Sequence, residues 1–141
     1  MKAKSGSFDW TDRQAPSLAE LEGLAQSAYL QLPARFRKLT GELLIRVEDF
    51  PTDEVLDSLE IESPFDLLGL YSGVDIGRKS VTDVSALPDM VFLYRHPILD
   101  YWAEHEETLG AIVTHVLVHE IGHHFGLSDA DMERIESEAA T

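Results

Sequence analysis

Apolar positions recur at three- and four-residue spacing early in the chain, at Leu18, Leu21, Leu24, Ala25, Ala28 and Leu32. Ser17 precedes them and Glu20 follows it by three, the spacing of a capping box, so the pattern predicts a helix over residues 18–31 that Pro33 breaks. Arg35 to Leu39 read as a short helical turn carrying much of the positive charge. Leu43 to Phe50 has the aliphatic and β-branched content of a strand, stopped by Pro51, after which Thr52 is placed to cap a short helix around Val55 to Leu59. Turn residues dominate 63–77, yet Phe65, Leu67, Leu68, Leu70 and Tyr71 lie among them, which predicts a loop packed onto the core. Val81 and Val84 allow a short strand. Met90 to Tyr94 predicts a clear one, ended by His96 and Pro97, with a helical turn from Asp100 to His105.

The longest signal follows. Residues 106–125 predict a helix of about 30 Å at 1.5 Å per residue, with an acidic start and with Gly126 at its end. Ala111, Ile112, Val113, Val116, Leu117, Val118 and Ile121 leave it almost no polar stripe, so it is expected to be central and buried on most sides. A last helix from Ala130 to Glu138 completes an α+β set, in which residues 1–15 form a polar tail with Phe8 and Trp10 as docking points and residues 16–141 form one domain.

Composition narrows the chemistry. The chain has 141 residues, 44 % of them hydrophobic, enough for a core. A formal charge of −15 repels phosphate backbones and anionic lipid, which argues against nucleic acid and membrane surfaces as partners. With no cysteine, any metal site must use histidine and carboxylate. The polar start and the lack of a long apolar run predict a cytoplasmic protein without signal peptide or membrane span.

His119 Glu120 Ile121 Gly122 His123 His124 Phe125 Gly126 Leu127 Ser128 Asp129 is the stretch that speaks to function. Four residues apart on a helix, His119 and His123 can offer two imidazoles to one cation, while Glu120 is placed to reach a water in an open metal position. After the turn at Gly126, Asp129 can return an oxygen ligand. Alternatively Ser128 or Asp129 caps the next helix, and Glu133 or Glu136 takes the ligand's place. His-Glu-x-x-His alone arises by chance in roughly 2 % of chains of this composition; with the glycine, and an aspartate or histidine three residues later, in about 2 in ten thousand. His115, one turn earlier, is expected to pack beside a ligand, and His124 to point away from the site. Gly122 suggests a close backbone approach, for which the strand at Met90 to Tyr94 is a candidate.

The stretch resembles the His-Glu-x-x-His-x-x-Gly-x-x-Asp pattern of zincin metallopeptidases whose third ligand is aspartate. Leu67 to Gly73, Leu87 to Arg95 and Val116 to Val118 are similar to the mini-zincins, short bacterial proteins, and the resemblance covers about Ser17 to Glu136. It implies a minimal zincin-like fold, a small mixed sheet on a central active-site helix with flanking helices. It also implies one zinc held by His119, His123 and Asp129, with Glu120 as catalytic base. The expected activity is hydrolysis of a peptide or protein substrate, extended along the edge of the strand at Met90 to Tyr94. Zincins usually stabilise the oxyanion from a Tyr or His beyond the third ligand; the 12 residues after Asp129 hold neither, leaving Tyr71, Tyr94, Tyr101 and His105 upstream as candidates. That shortness favours a second reading, a zinc-binding scaffold or interaction domain with little turnover unless a protein partner completes the cleft. A metal-dependent RNA hydrolase is a third, opposed by the acidic balance.

Overall fold

In the computed structural model, which describes residues 9–73 and 88–140, Ser17 closes the capping box that its spacing from Glu20 predicts. The Ser17 hydroxyl accepts from the Glu20 N–H at 3.1 Å, and the Glu20 carboxylate accepts from the Ser17 N–H at 2.9 Å. Helix α1, Leu18–Leu30, starts there; α2, Ala34–Arg37, follows the break at Pro33. Strand β1 is Leu43–Glu48, and the Thr52 hydroxyl caps α3, Asp53–Ser58. Strands β2, Gly69–Ser72, and β3, Asp89–Tyr94, lead into helices α4, Arg95–Glu104, α5, Leu109–His124, and α6, Asp129–Ala140.

The fold is α+β, built on a mixed three-stranded sheet of order β1-β3-β2. β3 runs parallel to β1, with Ile45 opposite Val91 and Val47 opposite Leu93, and antiparallel to β2, with Gly69 opposite Leu93 and Tyr71 opposite Val91. Strand alternation puts the five side chains of these residues, and the bare Cα of Gly69, on one face. Helix α5 packs there and buries Ile112, Val113, Val116, Leu117, Val118 and Ile121, as its nearly all-apolar sequence requires. Leu21 and Ala25 of α1 and Met132 and Ile135 of α6 complete the core around it. At Gly69 the approach of α5 is so close that a Cβ would stand 2.6 Å from Val116 Cγ1.

Several expectations change. The 63–77 segment holds a 3-10 turn, Pro64–Asp66, and strand β2 rather than a loop alone; its last four residues, like Val81, Val84 and Phe8, lie outside the described residues. β3 ends at Tyr94, as expected; His96 and Pro97 just beyond it lie in the first turn of α4, where Pro97 is tolerated because first-turn N–H groups have no intrahelical acceptor. The turn expected at Asp100 to His105 is the second half of that helix. α5 begins at Leu109 rather than Glu106, because the Thr108 hydroxyl accepts from the Ala111 N–H at 3.1 Å and sets the boundary. β3 is the central strand, paired on both sides, so its edge cannot receive a peptide. Trp10, in a 3-10 turn at Trp10–Asp12, is exposed. No described helix is long and apolar enough to cross a membrane.

Candidate metal centre

Gly126 turns the chain out of α5. Its φ is +75°, the Gly126 N–H donates to the His123 carbonyl at 3.2 Å, and the Leu127 N–H donates to the Gly122 carbonyl at 2.9 Å. This bond pair is a Schellman closure, which glycine adopts without the strain a side chain would add. Ser128 caps α6, accepting from the Asp131 N–H at 3.1 Å, which leaves Asp129 as the helix's first residue, exposed to solvent. Helix α6 then runs back along α5. Met132 packs on Gly122, where a Cβ would meet Met132 Cγ at 2.8 Å; the close approach at Gly122 thus comes from α6 and not from β3. One turn further on, Glu136 reaches the histidines of α5. The Arg35 guanidinium holds the end of α6 to α2, donating to Glu138 at 2.9 and 2.6 Å.

His115, His119 and His123 stand on one face of α5 at four-residue intervals, with ring centroids 3.9 and 5.5 Å apart. His119 Nε2 lies 3.2 Å from Glu136 Oε2, and His115 Nδ1 lies 3.0 Å from Glu136 Oε1. Among the described residues, these three side chains bring ligand atoms within 4.8 Å of one another. His123 and Asp129 stand outside that trio, and both are exposed. Glu136 is thus the α6 glutamate that meets the site, while Glu133 faces solvent. Burial holds the His119 pKa below the ordinary imidazole value, reinforced by His115 and His123 and opposed by Glu136. A neutral ring is the form that binds a metal.

Glu120 is half-buried, and burial raises its pKa; the charge of His123 and a hydrogen bond from the Tyr71 backbone N–H work the other way. Strand β2 therefore positions the candidate base through its main chain. The Tyr71 ring stacks on His124 at 4.0 Å and its hydroxyl donates to Asp89 Oδ2 at 2.5 Å; burial, then Asp89, holds that phenol protonated. His124 thus stacks on a residue of the sheet.

A cleft of about 370 Å³ opens where α5, α4 and the approach to β2 meet. Leu67, Leu68, Tyr101, Ile112 and Val116 form its apolar wall, and Asp66, Glu107, His115, His119 and Glu120 supply its polar groups. Of the four upstream oxyanion candidates, Tyr101 is the one lining this cleft, its ring stacked on His105 at 3.7 Å. Tyr94 is buried in the core, its phenol pushed up to about 12 by burial and by the charges of Glu48 and Glu120. Sequence reasoning gave no role to Asp66 and Glu107; the only signal was that acids flank the apolar residues that build the wall.

The family model for zincin-like metallopeptidases matches residues 40–139, which takes in the whole sheet, α5 and all but the last residue of α6. The chain belongs to that family. No curated protein matches it. The zincin-like span begins after α1, later than the resemblance read from Ser17 onward, so α1 is a helix packed on the zincin-like unit from outside the matched residues.

Proposed function

We propose that this zincin-like chain is a zinc-dependent peptidase. The observation that carries the reading is the placement, on one buried helix of a metallopeptidase family member, of His119 and Glu120 side by side at the wall of a cleft. The donors fit the ion: imidazoles and carboxylates, with no thiolate in the chain. In this reading His119, His123 and Asp129 hold zinc, and the return of α6 along α5 supports it by keeping the Asp129 end of α6 near the His123 end of α5. Bound there, zinc supplies a Lewis acid that makes water more acidic and polarises a carbonyl.

The residues of the chain do the rest. Glu120, held by the Tyr71 N–H, takes the proton from the attacking water and delivers it to the departing amine. Tyr101 is the phenol in the cleft and the donor we assign to the carbonyl oxygen as charge builds on it. The substrate is a peptide. Its side chain next to the scissile bond enters an apolar wall rimmed by Asp66 and Glu107, a surface suited to a long aliphatic stem with a cationic head. A metal-binding domain without turnover is the second reading, favoured by the pairing of His119 with Glu136 rather than with His123 and Asp129.

Metal content and cleavage of a mixed peptide library, wild type against Glu120→Gln, separate the two. We expect about one zinc per chain in both proteins, with cleavage reduced by about 10² to 10⁴ in the variant. Zinc with no cleavage in either would establish the binding domain instead.

A further inference from the structure

The histidine face of α5 carries two pairs at the same four-residue spacing. His119 and His123 are four residues apart with Asp129 at the start of α6; His115 and His119 are four residues apart with Glu136 seven residues, about two turns, further along α6. We infer that His115, His119 and Glu136 form a divalent-cation position of their own, one turn before the position proposed above, and that the two exclude each other because both need His119. The inference rests on that reading only through this shared residue.

The geometry supports it. Two ligands on one tetrahedral zinc, at bonds of 2.0–2.2 Å, stand about 3.3 Å apart. His119 Nε2 and Glu136 Oε2 stand 3.2 Å apart, and the His115 ligand atom lies within 4.8 Å of both. His115 is exposed, so its ring has room to turn toward the ion, whereas Glu136 and His119 are half-buried and already face one another. Two of the position's three residues, His115 and His119, line the cleft, whereas Glu136, His123 and Asp129 do not. An ion seated here takes His119 away from His123 and draws α6 onto α5 through Glu136.

Cobalt(II) is the probe, because its visible absorption reports coordination without any need for turnover. His123→Ala disables the position proposed above; since His123 is exposed, the fold should persist, checked by circular dichroism. We expect this variant still to bind one cobalt per chain. Adding His115→Ala or Glu136→Gln to it should weaken that binding by at least about tenfold, since losing a ligand costs no less than losing an outer-shell partner. The wild type should saturate at one ion, and His119→Ala should bind none tightly. The inference is overturned if His123→Ala alone abolishes binding, or if the added substitutions leave its affinity unchanged. Peptide cleavage by the wild type is scored separately, so a peptidase that binds cobalt only through His123 would refute this position while leaving the proposed function standing.

Discussion

Glu120 sits where an amide would be easier to keep. Its carboxylate is half-buried on an apolar helix, and the charge of His123 and the hydrogen bond from the Tyr71 N–H do not offset the loss of water, so its folded pKa lies above the ordinary 4.5. The sign of the consequence follows from proton counting. Between the unfolded value and the raised folded value the folded state binds more protons, so the stability present below the unfolded pKa is lost as pH rises through the folded one. His119 acts oppositely: its depressed pKa gives stability that is present above the unfolded value of 6.5 and lost as pH falls through the folded value. Both proteins in a Glu120→Gln comparison share the His119 contribution, so the difference isolates Glu120. In chelator-treated protein we expect Glu120→Gln to melt above the wild type at neutral pH and the gap to close in acid below the usual carboxylate range. A variant that melts lower at neutral pH would show that the carboxylate stabilises the metal-free fold instead.

At the scale of elements, the contact that sets the site is α5 on β2. Gly69 has no side chain because Val116 occupies that space, and the Phe92 carbonyl lies 3.1 Å from where a Cβ would be. Gly69→Ala is therefore expected to cost about 1–3 kcal/mol by overpacking, read from chemical denaturation. Val116→Ala should recover part of that cost in the double variant, because the added methyl then has room; simple additivity would mean that the two do not meet. This contact also shows where the sequence stops being legible. The capping box at Ser17, the Thr52 cap, α1, β1, the body of α5 and its end at Gly126 could be read because each is written in neighbouring residues. The glycine of β2 looked like a turn residue, since its reason lies 47 positions away in Val116. The central place of β3 was hidden for the same reason: strand order is decided by pairing between distant segments. At the site, His119, Glu120 and their helical face were visible from spacing alone. The meeting of Glu136 with His115 and His119 depends on how α6 returns, which long-range packing fixes: Met132 on Gly122, Ile135 in the core and Glu138 on Arg35.

Over the whole molecule the charge is −15, and among the described residues no lysine or arginine lines the cleft, whose wall carries Asp66, Glu107 and Glu120. A concave surface with apolar walls and one sign of charge concentrates field lines, so it draws in cations and turns away anions. If peptides are the substrates, those with lysine or arginine beside the scissile bond should bind better than neutral ones, and acidic peptides should bind worst. The preference is electrostatic at its rim and hence screened. Raising ionic strength should increase KM for a cationic peptide roughly tenfold while leaving a neutral, aliphatic one nearly unchanged. Replacing Asp66 with Asn and Glu107 with Gln should flatten that salt dependence and lower the cationic preference, while kcat for the aliphatic peptide stays as it was, because neither residue touches the metal ligands or the base. Salt dependence that survives both substitutions would mean that the charge of the whole surface, and not the rim of the cleft, selects the substrate.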